Sequence, residues 1–210
     1  MKNLKEVISI IGKSRKTSGK NKAVAIASST GGPSALQEVI GHLPKDLGTP
    51  VFVVQHMPDG FTQTLAERLN ELSHLKVKEA EDGETVQNGC VYIAKAGMHM
   101  EVWKYGATHR IRLHNKPHRE GVRPCANYMY ESLAECGYDE VVCVVLTGMG
   151  ADGTDGILHL QKKKQIKVII ENEESCVVYG MPGSIEKNNI EHKAVSLENI
   201  AKEIKENVGV

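Results

Sequence analysis

The feature that most constrains this chain is a plan met twice in its first third: a short apolar run, a polar turn with glycine, then apolar residues at helical spacing. Ala23-Val24-Ala25-Ile26-Ala27 leads through Gly31-Gly32-Pro33 to Leu36, Val39, Ile40 and Leu43, at i, i+3, i+4 and i+7. A run that is apolar at every residue reads as a strand buried on both faces, and the spacing after it reads as a helix with one apolar face. Pro33 suits the first helical turn, where its missing N–H has no intrahelical partner to lose. Val51-Phe52-Val53-Val54, the turn Met57-Pro58-Asp59-Gly60, and Phe61, Leu65, Leu69 and Leu72 repeat the plan. Strands separated by helices pair in parallel, so the fold class expected is α/β: a doubly wound, mostly parallel sheet flanked by helices.

The middle of the chain departs from that plan. Val77-Lys78-Glu79-Ala80 and Cys90-Val91-Tyr92-Ile93-Ala94 read as short strands, and His99 to Lys104 and Thr108 to His114 alternate as a small antiparallel hairpin around Gly106. A helix is expected from Pro124 to Cys136. The strand Val141-Val142-Cys143-Val144-Val145-Leu146, a glycine-rich turn, a helix through Ile157 and Leu160, and the strand Ile166-Lys167-Val168-Ile169-Ile170 then resume the first plan. Leu197, Ile200, Ala201 and Ile204 mark a closing helix. Residues 1–22 lack apolar periodicity and carry Lys13, Arg15, Lys16, Lys20 and Lys22 among small polar residues, so they read as a basic linker or tail before one domain at 23–210.

Composition excludes several classes. The chain has 26 basic and 26 acidic residues among 210, which gives nucleic acid no net electrostatic attraction. Aromatics are 4 %, too few for a base-stacking platform. The five cysteines are odd in number and form no C-x-x-C, so neither a disulfide framework nor a zinc ribbon is expected, and a cytoplasmic setting is. No apolar run approaches the roughly 18 residues of a membrane helix, so no membrane insertion is expected.

In open α/β sheets ligands bind beyond the carboxyl ends of the strands. Three strand-end loops carry chemistry there: Ser28-Ser29-Thr30-Gly31-Gly32, Gln55-His56-Met57-Pro58, and Thr147-Gly148-Met149-Gly150-Ala151-Asp152-Gly153. They supply a hydroxyl, an imidazole and a carboxylate, the set that nucleophilic catalysis by serine requires: the base takes the serine proton and the acid fixes the tautomer of the base. Ala27-Ser28-Ser29-Thr30-Gly31 resembles a strand-to-helix nucleophile elbow with alanine at its first position. Each loop also has a plain structural reading, as helix cap, hydrogen-bonded histidine or turn-forming aspartate. A rival is the G-x-G-x-x-G of Gly148 to Gly153 with Glu171 at the end of the next strand, the dinucleotide fingerprint. Asp152 would set a negative charge in that phosphate cradle, which favours the serine reading. His114 and His118 have metal-like spacing, but Pro117 interrupts a shared helix face and no H-E-x-x-H occurs, so no metal is expected.

Longer motifs join these loops. Ala25-Ile26-Ala27-Ser28-Ser29-Thr30-Gly31-Gly32, Gln55-His56-Met57-Pro58-Asp59-Gly60-Phe61-Thr62, Leu146-Thr147-Gly148-Met149-Gly150-Ala151-Asp152-Gly153 and Glu174-Ser175-Cys176-Val177-Val178-Tyr179-Gly180-Met181-Pro182 stand in one order along the chain. Together they resemble the catalytic domain of the CheB chemotaxis protein-glutamate methylesterases. The resemblance implies Ser29 as nucleophile, His56 as general base and acid, and Asp152 as the carboxylate that orients His56, with Thr30 and the Met149 N–H around the oxyanion. It implies hydrolysis of glutamate methyl esters on the cytoplasmic helices of chemoreceptors, with deamidation of receptor glutamines as a second activity, through an acyl-enzyme that needs no cofactor. The alternatives left open are an esterase for another substrate and a non-catalytic receptor-binding module.

Two departures bear on the site. Ala27 stands where the family usually has glycine, and Val122-Arg123-Pro124-Cys125-Ala126-Asn127 stands where it usually reads H-R-P-S-V-D. Asn127 is therefore expected to alter local substrate contacts and not the triad, and Cys125 to be a thiol with no base beside it. Family members usually carry a receiver domain before the esterase, so the chain reads as a stand-alone esterase or as a fragment with a separate or missing receiver as partner, and its activity is expected not to respond to phosphodonors.

Overall fold

The computed structural model describes residues 21–210. Seven strands form one sheet: β1 (Lys22–Ser28), β2 (Val51–Gln55), β3 (Lys76–Glu79), β4 (Cys90–Ile93), β7 (Glu140–Val145), β8 (Gln165–Glu171) and β9 (Lys193–Val195). Their spatial order is β3-β4-β2-β1-β7-β8-β9, and every pairing is parallel. The strands β5 (His99–Tyr105) and β6 (Thr108–His114) form the antiparallel hairpin. Six helices complete the described fold: α1 (Gly32–Gly41), α2 (Phe61–Leu72), α3 (Ala126–Ala134), α4 (Thr154–Leu160), α5 (Gly180–Lys187) and α6 (Leu197–Val208).

Side-chain alternation along the strands makes two separate cores, because successive residues of a strand point to opposite faces. Ala23, Ala25, Ala27, Phe52, Val54, Tyr92, Val141, Cys143, Val145, Val168 and Ile170 face α3, α4, α5 and the hairpin. Val24, Ile26, Val51, Val53, Val91, Ile93, Val142, Val144 and Ile169 face α1, α2 and α6. The three alanines of β1 leave its first face thin, and the large Tyr130 of α3 is fully buried there. Its hydroxyl is shared between the carbonyls of Ala25 at 3.2 Å and Val144 at 3.0 Å, which ties α3 to the two central strands.

From β1 the chain moves out to β2, then through β3 and β4, and returns on the other side of β1 as β7 before moving out to β8 and β9. The winding direction therefore reverses between β1 and β7, and the crevice at their carboxyl ends is where this class of sheet binds ligands.

Several boundaries differ from the sequence reading. Lys22, grouped with the tail by its charge, is the first residue of β1, and its ammonium lies 3.2 Å from Glu140 on the neighbouring strand. The rest of the expected tail, residues 1–20, lies outside the described residues. The helix expected from Pro124 to Cys136 is confined to Ala126–Ala134. Helix α5 carries Gly180, Pro182 and Gly183 and so has no helical signature in sequence, yet Pro182 falls in its first turn, where an N–H is dispensable, and Met181 and Ile185 are buried. Strand β9 has three residues, two of them exposed, too few for a period to register.

Removing the Tyr130 hydroxyl tests the link between α3 and the sheet. Tyr130→Phe is expected to lower the unfolding free energy by about 1 kcal/mol, read as a lower urea midpoint with an unchanged slope.

Candidate active site

The register of the central strands determines which residues meet. Ser28 pairs with Gln55 across β1 and β2, and Ala27 pairs with Val145 across β1 and β7. The turns that leave these ends therefore start at one level, with neighbouring strands about 4.8 Å apart. The Ser29 N–H donates to the Thr147 carbonyl at 3.0 Å, and the His56 N–H donates to the Ser28 carbonyl at 3.1 Å. Residues far apart in sequence are thus stitched side by side through their backbones.

The two adjacent serines have opposite environments. Ser28 is fully buried and donates its hydroxyl to Gln55 Oε1 at 2.7 Å, so it is a packing residue. Ser29 is half-buried at the mouth of the turn, and its carbonyl accepts the Gly32 N–H at 2.8 Å and Gln55 Nε2 at 3.0 Å. Gln55 also donates to the His56 carbonyl at 2.9 Å, so one buried amide clamps both turns. Gly31 has φ of 82°, and a Cβ there would sit 2.7 Å from Val177 Cβ. Gly148 faces Ser29 so closely that a Cβ would lie 2.8 Å from Ser29 Cβ.

His56 presents Nε2 to Asp152 Oδ2 at 2.7 Å, leaving Nδ1 as the nitrogen that can accept a proton from a hydroxyl. Asp152 is buried and has four donors. Oδ2 also accepts the Ala126 N–H at 2.6 Å, and Oδ1 accepts the Asn127 N–H at 3.0 Å and the Cys125 thiol at 2.9 Å. Ala126 and Asn127 open α3, so the carboxylate lies at the positive end of a helix. Burial by itself would raise the carboxyl pKa, but the hydrogen bonds from His56, Cys125 and Ala126 and the charge of His56 outweigh it and hold the group below the usual aspartate value.

The geometry corrects two expectations about the segment before α3. Cys125 is not an isolated thiol: it touches the carboxylate directly. Asn127 is not a surface substrate contact either. It is fully buried, its Oδ1 accepts the N–H groups of Gly153 at 3.0 Å and Gly156 at 2.7 Å, and its Nδ2 donates to Glu120. It therefore holds the turn that carries Asp152. Sequence reasoning missed Gln55, Cys125 and Asn127 in these roles, and no local spacing marks them.

Thr30 is exposed, and its carbonyl accepts the Thr147 hydroxyl at 2.9 Å. Met149 and Val177 are each 68 % exposed, giving the mouth an apolar rim. Among the described residues the N–H groups of Thr30 and Met149 donate to no protein acceptor. The dinucleotide alternative loses its acidic member, since Glu171 is fully buried and its Oε2 accepts the Thr147 N–H at 2.8 Å. Burial pushes that carboxyl above the usual glutamate value. His114 packs on the rings of His99 and Tyr128 at the end of the hairpin.

Known proteins resemble this chain over most of its length. The CheB methylesterase family matches residues 24–204. The chain is 49 % identical over 181 residues to a protein-glutamate methylesterase/protein-glutamine glutaminase of Bacillus subtilis, covering 86 % of this chain and 51 % of that protein. It is 45 % identical over 186 residues to the protein of the same name from Geobacillus kaustophilus, covering 89 % and 53 %. The chain thus spans about half the length of these curated relatives. The crystal structure of the Thermotoga maritima CheB methylesterase catalytic domain superposes with a TM-score of 0.84 at 41 % identity, over 90 % of this chain and 99 % of that one.

The Asp152 carboxyl gives the fold a pH signature. Its folded pKa lies below its unfolded one, so its contribution to stability is complete above the ordinary aspartate range and is lost as pH falls through the lower folded value. Asp152→Asn is expected to be less stable than the parent at pH 7 and to lose less stability on acidification, which urea titrations at pH 7 and pH 3.5 would read.

Proposed function

The chain belongs to the CheB methylesterase family, and from that premise we propose that it hydrolyses glutamyl methyl esters on the cytoplasmic helices of chemoreceptors, and deamidates glutamines at the same kind of position. The observation that carries the reading is the 2.7 Å contact between His56 Nε2 and the caged Asp152 carboxylate, set beside the half-buried Ser29 on adjoining strand ends. An imidazole tied to a carboxylate through one nitrogen is a base at the other.

The steps follow from that arrangement. His56 Nδ1 takes the Ser29 hydroxyl proton as Oγ attacks the ester carbonyl, and Asp152 stabilises the imidazolium that results. The tetrahedral oxyanion is met by the N–H groups of Thr30 and Met149, which have no protein acceptor among the described residues. Collapse returns the proton from His56 to the leaving methoxide and releases methanol. A water activated by His56 then attacks the acyl-enzyme, and the side chain leaves as a carboxylate with Ser29 restored. With glutamine as substrate the leaving group is ammonia and the remaining steps are the same.

The shape of the site fits a substrate carried on a helix. The exposed Met149 and Val177 offer an apolar rim to a helix surface.

Methanol release from methylated chemoreceptor membranes tests the proposal. Ser29→Ala and His56→Ala are each expected to lose roughly 10⁴-fold or more in turnover, and the double variant to be little worse than either, because the residues act as one unit. Release that persists in Ser29→Ala would remove it as nucleophile. Gly148→Ala, whose methyl group would crowd Met181 Sδ first and Ser29 Cβ next, is expected to cost on the order of 100-fold in kcat/KM, the scale of an ångström's misplacement of a reacting group.

A further inference from the structure

Cys125 occupies the N-cap of α3, the position where a side chain ordinarily accepts an N–H from the first turn of its own helix. Here the side chain makes no such bond. The capping oxygens come instead from Asp152, whose carboxylate takes the N–H groups of Ala126 and Asn127 from across the crevice. The thiol is thereby left free to donate, and it too is directed at Asp152, with Sγ 2.9 Å from Oδ1.

The four donors divide evenly between the two oxygens. Oδ1 receives Cys125 and Asn127, and Oδ2 receives Ala126 and His56. A carboxylate held on one oxygen alone turns about its Cβ–Cγ bond, whereas donors on both oxygens set its plane. We propose that Cys125 is a positioning residue for Asp152, a role that rests on the esterase reading above: together with the Asn127 N–H its thiol holds Oδ1, and so keeps Oδ2 facing His56.

The surroundings keep this thiol a donor. Cys125 is fully buried, and burial, followed by the adjacent Asp152 charge, raises its pKa far above the usual thiol value, so the S–H stays protonated. Other charged groups near the carboxylate are already engaged. Glu120 is bound by Asn127 Nδ2, and Arg119 lies 2.7 Å from Glu131 and 3.7 Å from Asp155 of α4. Among the described residues His56 and Cys125 are the titratable side chains hydrogen-bonded to the carboxylate.

The experiment compares the parent chain with Cys125→Ala and Cys125→Ser by two readouts: the pH titration of the Asp152 carboxyl carbon by NMR, and methanol release at pH 6 and pH 8. Loss of the donor in Cys125→Ala is expected to move the carboxyl titration to higher pH and to lower kcat/KM by roughly fivefold, the worth of one hydrogen bond of ordinary strength. Cys125→Ser keeps a donor of similar reach, so its titration is expected at or below the parent position and its activity within about twofold of the parent. An unmoved titration in Cys125→Ala would overturn the proposal, and so would a Cys125→Ser variant displaced as far as Cys125→Ala. If Cys125→Ala does not fold, Cys125→Ser alone decides, and a titration above the parent position overturns the role. A parent chain that releases no methanol would count against the esterase reading, while the titration would still decide whether Cys125 holds the carboxylate.

Discussion

A buried carboxylate must be met on all sides or it will not stay charged, and the arrangement of this molecule around its crevice follows from satisfying that of Asp152. The donors come from three places: the imidazole after β2, the opening peptides of α3, and the thiol in front of that helix. Each donor also constrains its own element. Helix α3 must point its amino end into the crevice, and the loop after β7 must turn back toward α3 instead of outward. Asn127 enforces that turn by accepting from Gly153 and Gly156.

The sheet supplies the rigidity this cage needs. Strands β2 and β7 are buried along their whole lengths and β1 from Ala23 on, and the three lie side by side at the point where the winding direction reverses. The turns leaving them are cross-linked through backbone bonds and through the Gln55 amide, so Ser29 and His56 share one support. Small residues are placed where elements must approach. The alanines of β1 admit Tyr130, and Gly148 admits Ser29. Of the three residues proposed for catalysis, His56 and Asp152 are in direct contact, and Ser29 lies on the adjoining strand end.

Much of this was legible before any coordinates. The apolar runs predicted the central strands, and helical spacing predicted α1, α2, α4 and α6, because burial on one or both faces imposes a period on the residues themselves. The rule that ligands gather beyond strand ends, joined to the family resemblance, singled out Ser29, His56 and Asp152. Elements with little periodic burial escaped: α5 is studded with glycine and proline, and β9 is an exposed edge of three residues. The supporting residues escaped for a different reason. Cys125 read as an inert thiol and Asn127 as a substrate contact, since nothing within a few residues of either shows that Asp152 will lie against them.

Local patterns thus determined on their own that this chain folds as a parallel α/β sheet with polar loops at its strand ends, since secondary structure and its buried faces are written at spacings of two to four residues. Only the tertiary structure decided which of those loops meet, which of two neighbouring serines faces the crevice, and what holds the carboxylate. Those outcomes depend on strand order and register, which bring residues 27 and 96 positions apart into hydrogen-bond contact. Hydrogen bonds across such distances leave no period in the sequence, because their geometry exists only after the chain has packed.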